Sequence, residues 1–471
     1  MELYKGYELV VGLEVHAELA TDSKIFCSCS TSSMAEPNSQ VCPVCLGLPG
    51  AMPSLNRKAV EYAIKAGLAT GCSIAPVVKM DRKNYFYPDL PKAYQISQFD
   101  IPLCENGKVM ITTDEGEKSI GITRIHIEED AGKLNHRDGG SYIDNNRCGV
   151  PLIEIVSEPD LRSAAEVTAY LKELRSILVY AGVSKCRMNM GELRCDINLS
   201  VRRPGETLGV RTEMKNLNSF AFAEKAVEYE YHRQVDVLEK GGEIVQETRR
   251  FDQDKGITLS MRRKENAGDY RFFPEPDIPV TVVSDDWVNS IRESLPKLPS
   301  ERRRYYVNEL GLSSYVSTTI TEDKAVSDYF DEALKDCCCP VSLANLLMGD
   351  VFAMSEGGEI AIKPRSLGRL ANLLGEGEIN SATAKKLLKA LWGTDTDPVE
   401  YVDAHQMRIL KDREIISQLC RNAVEKNAKS AEDYKKGKSN ALKALVGAVM
   451  AASKGRADPE IVNEILLNML K

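Results

Sequence analysis

An α+β fold is predicted: an N-terminal antiparallel-sheet cradle domain with helices, then an all-α helical domain and a small α-helical tail domain. Three observations predict it. Up to about residue 295, several stretches alternate apolar and polar residues between Gly and Pro punctuation, the pattern of half-buried strands. Helical periodicity interrupts those stretches. After Leu295-Pro296-Lys297-Leu298-Pro299-Ser300, which reads as a linker, helical periodicity dominates and strand patterns nearly vanish. The expected domains are 1–295, 296–402 and 403–471.

The elements follow in order. In Val11 to Glu18, read as a strand, Leu13, Val15 and Ala17 share one face while Glu14, His16 and Glu18 share the other. Arg57 to Ala69 has helical apolar spacing and ends near Gly71. In Arg124 to Asp130, Ile125 and Ile127 point one way and Arg124, His126 and Glu128 the other. Glu154 is a lone acid in the apolar strand Leu152 to Val156. Ser163 to Ala181 reads as a helix with Val167, Tyr170, Leu171, Leu174 and Leu178 on one side and Gly182 as its stop. Leu193, Cys195, Ile197, Leu199 and Val201 alternate with polar residues through Arg202. A turn at Arg203-Pro204-Gly205 follows, then a second alternating run from Val210 to Lys215. Ser219 to Lys240 is helical, stopped by Gly241-Gly242. Asp458 and Pro459 open the last helix as N-cap and first helical residue.

Composition narrows the function classes. Apolar residues make up 43% and charged residues 28%, an ordinary balance for a soluble globular chain. No apolar run reaches the roughly 18 residues of a membrane span, and Met1-Glu2-Leu3-Tyr4-Lys5 does not open a secretory signal. Thirteen cysteines without such a signal suggest a reducing cytoplasm, with thiols free or metal-bound. A net charge of −8 argues against a general nucleic-acid coat. A local basic excess exists nevertheless: nine Lys and Arg against three acids lie between Arg421 and Arg456, with Lys435, Lys436 and Lys438 at its centre. Solvated helix faces are the plainer account of such a count.

Four groups of residues can carry chemistry. The acids and imidazole on the three strands suit a Mg²⁺ site, and Mg²⁺ commonly accompanies phosphate; a solvated sheet face is the plain alternative. Cys27-Ser28-Cys29 and Cys42-Pro43-Val44-Cys45, twelve residues apart, read as a closed tetrahedral zinc knuckle, hence a structural site. Cys337-Cys338-Cys339 reads as packing residues on a helix. The stretch Arg82 to Gln95 mixes bases, tyrosines and prolines; Lys83, Tyr85 and Tyr87 suit stacking on a base and holding its phosphates, and an ordinary aromatic loop closing the core is the plain alternative. Arg194, Asn198 and Lys215 on the charged face of the paired strands suit phosphate or sugar, or are salt-bridged surface charges. Familiar alternatives are absent. Gly437-Lys438-Ser439 is preceded at the required glycine position by Glu432, so there is no phosphate-binding loop of that type. No nucleophile elbow appears either.

The stretches Val11–Glu18, Asp81–Asp100, Gly121–Lys133, Pro151–Asp160, Glu213–Phe220 and Arg271–Ile278 closely resemble the B subunits of tRNA-dependent amidotransferases. The resemblance runs in order through the whole chain, and Tyr94-Gln95-Ile96-Ser97-Gln98-Phe99-Asp100 is a long shared phrase. It implies an ATP- and Mg²⁺-dependent ligase that converts Glu on glutamine tRNA, or Asp on asparagine tRNA, into the amide. A glutaminase A subunit would supply ammonia and a small C subunit would tie A to B. Glu14, His16, Glu128, Glu129 and Glu154 match the family's metal-binding cluster, one subset holding an ion permanently and the remainder engaging one with ATP or lining the ammonia route. His16 in that set admits Mn²⁺ or Zn²⁺, or acts from outside the ligand set by orienting Glu128 or a water. The resemblance also implies zinc on the four cysteines and a tail that touches the tRNA body.

Overall fold

The computed structural model describes residues 3–32, 34–137, 139–215, 217–263, 270–435, 438 and 440–470. The chain divides into two compact units, Met1–Pro299 and Ser300–Lys471.

The first unit is built on a nine-stranded sheet. Its spatial order is Ile257–Arg263, Glu247–Asp252, Thr212–Lys215, Leu193–Arg202, Glu8–Glu18, Pro151–Ser157, Gly116–Glu129, Cys104–Thr113 and Ser73–Ile74. All neighbours are antiparallel except Thr212–Lys215 and Glu247–Asp252. One face of this sheet is apolar. Leu13, Val15, Ala17, Ile125, Ile127, Ile153, Ile155 and Ile197 are all buried in a single core. Helices Arg57–Ala69, Ala164–Tyr180 and Phe220–Glu239 pack into the same core. Alternation then sends the intervening polar residues to the opposite face.

The caps explain where these helices start and stop. The Ser163 hydroxyl accepts from the Glu166 N–H at 3.1 Å, and the Glu166 carboxylate reaches back to the Arg162 N–H at 2.7 Å. Ser219 caps Phe220–Glu239 in the same way. Gly182, with φ +68°, takes the left-handed turn that ends Ala164–Tyr180. Val167, Tyr170, Leu174 and Leu178 are fully buried, each contributing on the order of 1.5–3 kcal/mol of burial.

A small sheet of Phe273–Pro274, Asp81–Asn84 and Tyr94–Ser97 flanks the site. Arg82 fastens it: Nε and Nη2 donate to the two oxygens of Glu275 at 2.6 and 2.8 Å.

Two details depart from expectation. Val210 and Arg211 lie outside the strand, because pairing covers only Ile197–Leu199 against Thr212–Met214. The three adjacent cysteines are not on a helix. They occupy the turn between Lys324–Leu334 and Pro340–Leu346, with Cys338 exposed. Pro340 opens the second helix, and a residue preceding proline is pushed out of the helical region.

The second unit is helical among its described residues. It has two separate apolar cores, one running from Tyr306 to Val402 and one from Ile416 to Leu470. Helix Pro364–Gly375 approaches Lys324–Leu334 closely at Gly368, where a Cβ would fall 2.4 Å from the Ala333 carbonyl oxygen. No helix among the described residues is long and apolar enough to cross a membrane.

Candidate metal centre and phosphate cleft

Strand register brings the polar residues together. His16 lies opposite Glu154 on one neighbour and opposite Arg194 on the other. Glu154 lies opposite His126. Glu14 lies opposite Asp196, and Asn198 opposite Glu213. Directly opposed residues share a face with Cβ atoms about 4.5–5.5 Å apart. Five strands therefore contribute to one polar surface.

Two three-residue groups stand out on it, each with ligand atoms within 4.8 Å of one another. The first is His16, Glu128 and Glu154. His16 Nε2 is 3.5 Å from both a Glu128 and a Glu154 oxygen. His126 sits behind it, with Nε2 3.3 Å from Glu154 and 3.8 Å from Glu128. The second group is Glu14, Asp196 and Glu213. Asn198 donates to Glu14 at 2.9 Å and Thr248 to Glu213 at 2.9 Å. Lys215 Nζ bridges this group, 2.5 Å from Asp196 and 3.1 Å from Glu213.

The electrostatics match a cation site. Burial alone would lower the pKa of His126, but hydrogen bonds to Glu128 and Glu154 raise it to about 9. Burial opposes charge on His16 as well, and is outweighed by Glu154 and Glu128, so its pKa is also raised. Glu154 resists the upward push of burial because both imidazoles hold it well below the carboxylate range. Glu128 is lowered for the same reason, led by His126. These buried acids demand positive charge, which protonated imidazoles supply and a divalent ion can replace with release of protons. The buried Nδ1 of His126, on the side of the ring away from the two acids, has no partner among the described residues.

A cleft of about 300 Å³ opens on this surface, lined by His16, Lys83, Tyr85, Glu128, Arg194 and Lys215 among others. Lys83 Nζ stands 5.8 Å from the Tyr85 ring centre and 5.1 Å from that of Tyr270. Arg194 is aimed by Asp130 at 2.5 Å, and Arg147 holds the same acid at 3.4 Å. The structure thus joins Lys83, Tyr85, Arg194 and Lys215 to His16 and Glu128. Asn198 sits beside Glu14 instead. Tyr87 is 54% exposed and does not line the cleft.

Glu129 does not join the acids. It follows Glu128 in a strand and so points to the other face. There its carboxylate lies 2.5 Å from Lys92 and accepts from the Ile96 N–H at 2.8 Å. Sequence reasoning missed Asp196 and Glu213 as members of an acidic group. Both stand on the charged face of their alternating runs, but only the register to Glu14 reveals the cluster. His126 lies on the expected face, yet its role behind the two acids has no signal in the sequence.

The four cysteines converge: Sγ atoms of Cys27, Cys29, Cys42 and Cys45 all lie within 4.8 Å of one another. The Cys42 N–H donates to Cys45 Sγ at 3.1 Å, and the Cys29 carbonyl accepts from the Lys24 N–H at 2.9 Å. Both loops are pinned with thiols inward, an arrangement that can hold a structural metal. In the C-terminal region, Lys435 ends helix Ala428–Lys435 and Lys438 Nζ is 3.1 Å from Asp433. Lys436 lies outside the described residues.

Residues 9–289 match the family described as GatB/GatE catalytic domain, and residues 328–470 match the GatB domain. Several curated proteins, each named as the B subunit of an aspartyl/glutamyl-tRNA(Asn/Gln) amidotransferase, are similar to the chain from end to end. That of Caldicellulosiruptor saccharolyticus is 52% identical over 476 residues, 99% of each chain. That of Thermoanaerobacter pseudethanolicus is 51% identical over 467 residues, 98% of each. That of Thermodesulfovibrio yellowstonii is 48% identical over 472 residues, 99% of each. With both domains matched in order and half the residues identical over the full length, the chain belongs to the family of aspartyl/glutamyl-tRNA(Asn/Gln) amidotransferase B subunits.

Proposed function

We propose that this chain is the tRNA-binding, ATP-using subunit of a cytoplasmic tRNA-dependent amidotransferase. It binds tRNA(Gln) carrying Glu, tRNA(Asn) carrying Asp, or both. It transfers the γ-phosphoryl of ATP to the side-chain carboxylate, and ammonia from a glutaminase A subunit then displaces phosphate to give the amide. A small C subunit completes the assembly. A carboxylate is a poor electrophile because oxide would have to leave; phosphorylation makes phosphate the leaving group.

The observation that carries this reading is the pairing of two acidic groups with a cleft that brings Lys83, Arg194 and Lys215 to the same sheet face. His16, Glu128 and Glu154 would hold one Mg²⁺ and Glu14, Asp196 and Glu213 another, with Mn²⁺ as an alternative ion given the imidazole. Bound there, the ions neutralise charge on the transferred phosphoryl. Arg194 and Lys215 are already oriented by Asp130 and Asp196 to meet phosphate oxygens. Tyr85 and Lys83 offer a ring and an ammonium at the cleft wall. Zinc is the metal proposed for the four cysteines. The helical unit would subdivide near residue 402, with 403–471 acting as a tRNA-binding tail through Lys435, Lys436 and Lys438.

The test is ATP hydrolysis by the complex with A and C subunits, with and without Glu-tRNA, in Mg²⁺. Turnover should require the misacylated tRNA. Glu14→Ala and Glu128→Ala should abolish it while leaving tRNA affinity nearly intact; turnover that survives both changes refutes the assignment. Removing residues 403–471 should weaken tRNA binding and flatten its salt dependence.

A further inference from the structure

Lys24 is a buried ammonium beside a cluster of thiols. Its side chain is fully enclosed. Its backbone is fixed on both sides, the N–H of Lys24 to the Cys29 carbonyl at 2.9 Å and the N–H of Ile25 to the Gly149 carbonyl at 2.8 Å. The side chain then runs from the first cysteine loop to the second. Nζ donates to the Gln40 carbonyl at 2.8 Å and to the Asn145 carbonyl at 3.5 Å, and lies 3.6 Å from Cys45 Sγ. Among the described residues no carboxylate pairs with it. The other cation lining the same cavity, Lys92, is committed to Glu129.

Two carbonyl oxygens solvate an ammonium but do not neutralise it, and a buried charge without a counter-charge is costly. Four thiolates around a divalent zinc ion carry a net double negative charge, and that excess is costly on the inner side of the site, where Cys45 is buried. Each solves the problem of the other. We propose that Lys24 is the buried counter-cation of the four-cysteine site, halving its net charge and restraining the nucleophilicity of the metal-bound thiolates. This rests on the reading that those cysteines hold zinc. The restraint has something to act against, because a cavity of about 210 Å³ reaches Cys27 and Cys45 alongside Lys24. Lys24 is a positioning and charge-balancing residue and takes no part in the transfer reaction.

The experiment compares the full chain with Lys24→Met and Lys24→Arg. Zinc content is measured first. Zinc release on treatment with N-ethylmaleimide is then followed with a chromogenic chelator. Lys24→Met, which keeps the length and apolar stem, should release zinc at least about tenfold faster, given the Coulomb energy of a charge at this separation. Lys24→Arg should stay close to the unaltered chain. Equal release by Lys24→Met at equal zinc content overturns the role of Lys24 while leaving the zinc reading intact. Unaltered protein without stoichiometric zinc overturns both. Should Lys24→Met fail to fold, the unaltered chain with ¹⁵N-labelled lysine decides the question. The Lys24 Nζ resonance, identified by its loss in Lys24→Arg, should shift when cadmium replaces zinc; a resonance indifferent to the exchange overturns the proposal.

Discussion

Replacing Lys215 by Met isolates the acidic group Glu14, Asp196 and Glu213. Lys215 Nζ lies 2.5 Å from Asp196 and 3.1 Å from Glu213, on a side chain 35% exposed. At an effective dielectric of ~20, each contact near 3 Å has a gross Coulomb energy of about 5 kcal/mol. Desolvation of the ammonium cancels most of that, and its exposure screens more. A net loss of about 1–3 kcal/mol remains, which lowers the melting temperature by roughly 2–5 °C for a unit of this size. Met preserves the stem, so packing contributes little to the change. The group would then lose the ammonium that bridges Asp196 and Glu213. A divalent ion bound only by the folded form returns about 2.7 kcal/mol at a hundredfold excess over its Kd. Thermal melts with and without millimolar Mg²⁺ therefore form the assay. Lys215→Met should melt lower without the ion, and Mg²⁺ should raise it by more than it raises the unaltered chain. A variant that melts like the parent, or an equal Mg²⁺ shift in both, refutes the view that Lys215 balances a cation-binding group.

Two further outcomes are expected. Glu230 is buried beneath the sheet, where burial pushes its pKa up but Arg233, Thr258 and Gln234 hold it below the ordinary value. A depressed carboxylate stabilises the fold above its unfolded pKa and loses that contribution as pH falls through the folded one. Urea unfolding should show stability declining below about pH 4.5. Glu230→Gln should cost about 3 kcal/mol at pH 7 by taking the carboxylate from Arg233, while Arg249 keeps Glu247, and should show a shallower acid decline; an unchanged acid slope would remove Glu230 from that role. Tyr170 is fully buried with its hydroxyl lacking a partner among the described residues. Tyr170→Phe should therefore be neutral or stabilising by about 1 kcal/mol in the same titration, and a clear loss would reveal a partner for the hydroxyl.

Much of the site can be read along single strands. Alternation in Val11–Glu18 assigned Glu14 and His16 to the face opposite Leu13 and Val15, and the buried core confirms the apolar side. Ser163, Gly182, Ser219 and Asp458 marked helix ends because capping is local: a hydroxyl or carboxylate meets an N–H two or three residues away. The cysteine spacing foretold convergence, since short loops limit where their thiols can go.

Other features were not legible. Glu129 carries the same charge as Glu128 and adjoins it, yet one faces the imidazoles and the other faces Lys92, more than thirty residues away. Glu14 meets Asp196 and Glu213 only through the register of three strands, the first separated from the other two by more than half of the first unit. The sequence by itself determined the elements, their apolar faces and the chemical character of each polar face, because periodicity and capping depend on neighbours along the chain. Only the tertiary structure decided which polar faces share one surface and which acids pair with cations instead of each other. Strand order and register are long-range choices, made by burial of the whole sheet against its helices, and no local pattern encodes them.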